Sequence, residues 1–205
     1  MALLQGNGGG SSLVLILLPL AAFALCLAAI LGEEVQSEPP WLAVGGAFLR
    51  AAILWGTFVA LSSEILSLFH AITRIGIALS WLAALTSVGW IGWRRGSLQR
   101  GLERLRSLPA PGGMGDRALL VGMAVLAGSL LLVAWISPSN NVDSLQYHMS
   151  RVVHWAQQRS LAPYATAYVH QLGNPIWAET AILHLRLLWG SDQPANLVQW
   201  FAMIG

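Results

Sequence analysis

Between residues 138 and 193 the chain gathers four of its five histidines, three arginines and three carboxylates. Asp143, Tyr147, His148, Arg151 and His154 fall close together, and Glu179 follows farther on. A carboxylate within hydrogen-bond reach of a hydroxyl can take its proton as the hydroxyl becomes a nucleophile, and Asp143 offers that chemistry. The same carboxylate, with Gln146 three residues later, also fits a capping box, and one group can serve both ends. Arg151 carries a planar, permanently charged fork that suits a phosphate leaving group, although an arginine reaching lipid phosphates is the plainer use. Glu64 and Glu179 stand in apolar surroundings where ionisation is costly, so each either binds substrate or pairs with a cation, Arg74 and Arg186 being the nearest choices. His154 and His170 could join a metal site, but the segment has no HxxxH or HxH pair, and His184 lies five residues from Glu179, off its face. No metal-ligand set is therefore assigned, and the cofactor stays unknown, a divalent metal being left open.

Two amphipathic helices must hold these groups. The first is expected over about 144–158. Leu145, Met149, Val152 and Ala156 form its apolar stripe, and Ser144, His148, Arg151, Trp155 and Gln158 the stripe beside it. The second is expected to start at Asn174-Pro175, an N-cap followed by proline in the first turn, and to stop at Gly190. Residues 159–173 read as loop, punctuated by Pro163 and Gly173. Helices of this length beside membrane spans are expected to lie flat at the interface.

The rest of the chain explains why an interface is invoked. Of 205 residues, 56% are apolar and only 10% charged, against about 25% charged in soluble domains. Mean hydropathy is +0.62. A charged outer surface cannot be built from so few ionisable groups, which excludes a cytosolic enzyme, a disordered tail and a disulfide scaffold; the single Cys26 can form no internal disulfide. Four apolar stretches, at about 13–31, 51–69, 75–93 and 118–137, are long enough to cross a bilayer. The uncharged leader and long first run argue for a retained helix over a cleaved signal peptide. A fifth span is expected to begin at 194 and to be cut short at 205, so the chain reads as the N-terminal part of something longer.

All eleven basic residues are arginine, and six lie between Arg94 and Arg117. Such a cluster beside a span is a topology signal, not a nucleic-acid surface. With that loop on the cytoplasmic side, the turn from His70 to Arg74 faces outside. Glu33, Glu34 and Glu38 fall inside, with Arg50 at the inner end of the second span, and residues 138–193 form an external loop. Leu98, Leu102 and Leu105 recur at helical spacing within the Arg cluster, which reads either as a short basic helix on the inner membrane surface or as a solvated loop. Trp41, Trp93 and Trp135 sit at span ends, as interfacial anchors do.

The run Val142-Asp143-Ser144-Leu145-Gln146-Tyr147-His148-Met149-Ser150-Arg151-Val152-Val153-His154-Trp155 resembles the first external loop of bacterial GT-C superfamily glycosyltransferases, of the broad family 39-like group. Gln171 to Glu179 is similar to that loop's second, proline-led helix, and Glu64 to His70 to a segment preceding it. The resemblance implies an all-α, polytopic integral membrane protein of the bacterial inner membrane. It also implies a polyprenyl-phosphate-linked sugar donor and a lipid, glycan or protein acceptor among membrane lipids, with no nucleic acid. It makes Asp143 the catalytic base or the group that orients the acceptor, with Tyr147, His148, Arg151, His154 and Glu179 as the substrate-binding candidates around it. Residues 1–205 alone are expected to be inactive, because the resembled fold completes its donor cavity with later helices. The competing expectation is a non-enzymatic polytopic protein, such as a lipid-linked glycan transporter or an assembly subunit.

Overall fold

The computed structural model describes residues 9–34, 39–110, 112–137 and 139–204, and all regular structure among them is helical. In chain order the helices are α1 (Gly9–Leu31), α2 (Pro40–Leu68), α3 (Arg74–Arg94), α4 (Ser97–Arg106) and α5 (Met114–Ile136). A π-helical turn (Ser144–His148) leads into α6 (Met149–Gln158), followed by α7 (His170–Gly173) and α8 (Trp177–Trp189). A 3₁₀ turn (Gln193–Asn196) then opens α9 (Leu197–Ile204). Four of these helices, α1, α2, α3 and α5, are long and apolar enough to cross a membrane. Glu38, Pro138 and Gly205, which figured in the topology and in the outer segment's limits, lie outside the described residues, as does the leader through residue 8.

The second span corrects its expected start at residue 51. Helix α2 begins at Pro40, because proline in a first turn forfeits no hydrogen bond and its fixed φ is already helical. Arg50 is consequently inside the helix; its Nε donates to the Gly46 carbonyl at 3.1 Å and its guanidinium pairs with Glu34. The fourth span likewise starts earlier than expected, at Met114, where the Gly113 N–H donates to Asp116 Oδ2 at 3.3 Å. Helix α3 is capped by Thr73, whose Oγ1 accepts from the Gly76 N–H at 3.0 Å.

Helices α1, α2 and α3 pack together around Val59, Ile77 and Trp81. At one end of this bundle α4 crosses the C-terminus of α1, where Arg104 donates to the Leu31 carbonyl at 2.7 Å and Arg100 to the Gly32 carbonyl at 3.0 Å. Those arginines satisfy carbonyls that a helix end leaves without partners. The approach requires glycine at 101, since a Cβ there would overlap the Ala28 carbonyl. The short basic helix is thus present, with Leu105 packed against Leu31, Ala43 and Ala47 while Leu102 stays exposed.

The opposite end of the bundle carries residues 144–189. Ser67 Oγ accepts from the Leu161 N–H at 2.8 Å and pairs with Ser160 Oγ at 2.9 Å, and the Trp177 indole donates to the Gly56 carbonyl at 3.1 Å. Val152, Trp155, Leu183 and Leu188 complete the core begun by the first three helices. Helix α5 stands apart, touching α9 and its 3₁₀ turn, with Trp200 Nε1 donating to the Ala127 carbonyl at 2.9 Å.

Candidate functional site

The site grows from a helix start that the sequence pattern misplaces. Asn141 Oδ1, not Asp143, accepts from the Ser144 N–H, at 2.7 Å, and Asp143 already has helical dihedrals (φ −64°, ψ −42°) with no capping bond. The expected capping box at Asp143 and Gln146 is therefore absent. The cap is made two residues earlier, and this frees the Asp143 carboxylate, which has no hydrogen-bond or ion-pair partner among the described residues.

The backbone then widens. The Met149 N–H donates to the Ser144 carbonyl five residues back, so Ser144–His148 is a π-helical turn within the expected helix of 144–158. In a regular α-helix residues five apart point about 140° away from each other. A wider turn brings them toward one side, and such turns recur at functional sites. Asp143 and His148 accordingly line one cavity of about 660 Å³. Ser139, Asn141 and Ser144 join them on that wall; Trp177, Ala178 and Ile182 of α8 and Asn196, Val198 and Gln199 form the other.

Behind the cavity lies a buried ionic cluster. Glu179 Oε1 meets His148 Nδ1 and Arg151 Nη1, each at 2.9 Å, and both Arg151 and Glu179 are 0% exposed. An ionised carboxylate only accepts, so His148 donates from Nδ1 and its neutral form carries the lone pair on Nε2. Arg151 also donates to the carbonyls of His170 at 2.8 Å, Gln171 at 2.9 Å, Asn174 at 3.2 Å and Pro175 at 3.3 Å. This guanidinium clamps the loop and α7. It also explains why the second helix does not begin at Asn174-Pro175: with both carbonyls held by Arg151, α8 starts only at Trp177, after Ile176, and has no side-chain cap. Its stop at Gly190 is as expected, in the left-handed conformation (φ 99°).

The remaining candidates disperse. Tyr147 lies beside His148, ring centroids 4.1 Å apart and planes tilted by 43°, without lining the cavity. His154 is exposed and lies on Tyr164, centroids 4.0 Å apart, away from Asp143. Glu179 pairs with Arg151 and not Arg186, whose partner is Asp192. Glu64 points outward without a partner among the described residues, while Arg74 donates to Ser12 Oγ at 2.9 Å. Neither expected pairing of those two acids forms: Arg74 turns to Ser12 on α1, and Arg186 to Asp192 just past the end of α8.

His184 belongs to a second polar contact. The Trp81 indole donates to its Nδ1 at 3.1 Å, which leaves Nε2–H to donate to Ser63 Oγ at 3.0 Å. Burial pushes this imidazole down to about 3, so it is neutral and ties α8 to α2 and α3. No group of three or more His, Cys, Asp or Glu close enough to hold a metal exists among the described residues. Asn141 and Asn196 are site residues that sequence reasoning passed over; an Asn just ahead of an amphipathic run is itself a cap signal, and would have identified Asn141.

No protein-family model matches the chain, and no curated protein or solved structure matches it either.

Proposed function

We propose that this protein is a membrane glycosyltransferase that moves a sugar from a polyprenyl-phosphate-linked donor to a lipid, glycan or protein acceptor. The observation that carries the reading is an Asp143 carboxylate with no partner among the described residues, lining with His148 a cavity of about 660 Å³, within the usual size range of small-molecule sites. Asp143 takes the proton of an acceptor hydroxyl, and that oxygen forms the new bond to the sugar's anomeric carbon from the face opposite the leaving group. The anomeric carbon–oxygen bond to the lipid phosphate breaks, its electron pair leaving with the phosphate and inverting the centre.

Two further features support the reading. The cavity is at the bundle end opposite α4, and Arg-rich loops favour the cytoplasmic side, which argues for chemistry on the external face of a bacterial inner membrane. The four long apolar helices suit a protein that meets its donor in the bilayer. Arg151, the first choice for the lipid phosphate on residue type, is spent on the loop and on Glu179, so phosphate recognition falls to other donors in the cavity.

The test is sugar transfer by the full-length protein carrying Asp143→Asn. Transfer is expected to be abolished while membrane insertion stays intact. Retained transfer would remove Asp143 as the base, and absence of any transfer by the wild type with lipid-linked donors would favour a transporter or assembly subunit.

A further inference from the structure

We propose that His148 is the group that receives the phosphate of the lipid carrier, acting as an imidazolium braced by Glu179. The inference rests on the reading of the cavity as a donor site and deepens it. Among the described residues, His148 is the one basic side chain lining that cavity. Its Nδ1–H is already given to Glu179 Oε1 at 2.9 Å, and its Nε2 has no hydrogen-bond partner among the described residues. A neutral ring held in this way has only a lone pair left, which repels a phosphate oxygen. Taking one proton from water turns Nε2 into a donor, and the charge is then held between two anions, the phosphate in front and Glu179 behind.

The surrounding charges are arranged for this. Glu179 faces the ring from α8, Tyr147 lies against it from its own segment and Asp143 lines the same cavity, while Arg151 lies behind Glu179 on the same carboxylate oxygen. Arg151 neutralises Glu179, so protonation of His148 adds a net positive charge at the cavity wall. That charge offsets the Asp143 carboxylate, which on its own would oppose an anionic ligand. The buried acid therefore orients the ring, as carboxylates do for metal-binding histidines, while the ring meets the ligand.

Two substitutions separate the two ring nitrogens. The amide of His148→Asn reaches the Nδ1 position and can keep the bond to Glu179; that of His148→Gln reaches the Nε2 position and can keep the donor toward the cavity. The probes are a polyprenyl monophosphate and the uncharged polyprenol of the same chain length, bound to full-length protein in lipid nanodiscs. The wild type is expected to prefer the phosphate, and His148→Asn to lose about tenfold or more of that preference, as for a charge-assisted hydrogen bond. His148→Gln is expected to retain more of it. A purely structural imidazole gives the reverse order, with Asn tolerated and Gln damaging, and that result overturns the inference, as does an unchanged preference in His148→Asn. Those two results bear on phosphate recognition and not on whether transfer needs Asp143, whereas a wild type with no preference for phosphate over polyprenol overturns the donor-site reading together with this one.

Discussion

Removing Glu179 and removing Arg151 break the same buried pair but do not cost the same. Loss of one partner of a buried ion pair destabilises by about 3–5 kcal/mol, because the other charge is left uncompensated. In Glu179→Ala the orphaned guanidinium still donates to four carbonyls between His170 and Pro175, so its charge stays solvated by dipoles. The expected cost is at the lower end, about 3 kcal/mol. In Arg151→Ala the carboxylate keeps only His148 Nδ1 among the described residues, since Glu179 Oε2 has no donor there, and the four carbonyls lose their shared donor together. That places the cost at about 5 kcal/mol or beyond, a gap of about 2 kcal/mol between the two variants. Denaturant titration in detergent micelles, followed by tryptophan fluorescence, measures both. Hydrogen exchange over residues 170–176 should show the loop opening in Arg151→Ala before the helices do. Equal costs, or a larger loss in Glu179→Ala, would refute the view that Arg151 is the loop's clamp.

Two other expectations follow from the same geometry. His184 titrates at about 6.5 in an unfolded chain and is held down to about 3 in the fold, so its contribution is complete above pH 6.5 and fades as pH falls toward 3. His184→Gln, which keeps one donor and one acceptor, should flatten that part of the melting-temperature profile; an unaltered acid limb would contradict the buried neutral imidazole. Cysteine placed at Asp143 in a Cys26→Ser background should react with a membrane-impermeant maleimide applied outside intact cells. Labelling only after permeabilisation would invert the topology.

Spans and termini were legible in the sequence where one physical factor dominates. Twenty or so residues without charge can only be satisfied as helix in lipid, so α1, α3 and α5 were recognisable within a few residues. A charge at Arg50 looks like the inner end of α2 in the sequence, but an arginine that folds back on Gly46 and pairs with Glu34 does not end a helix. The site was half legible. Residue types singled out Asp143, His148, Arg151 and Glu179, but not their partners. Helical spacing places Arg151 on the polar stripe beside His148, and only the docking of α8 buries it against Glu179. Least legible was the π-helical turn, since a stripe drawn at 3.6 residues per turn separates Asp143 from His148. Nothing local marks that turn.

The most direct measurement is a photoaffinity map. A polyprenyl-phosphate-sugar bearing a diazirine on the sugar would be cross-linked to the full-length protein and the modified peptides identified, with excess unmodified donor as competitor. The cavity account expects competed labelling at residues 139–149 and 177–199, and loss of affinity for the probe in His148→Asn. Labelling confined to α5 or α4, or labelling that excess donor does not displace, would contradict it.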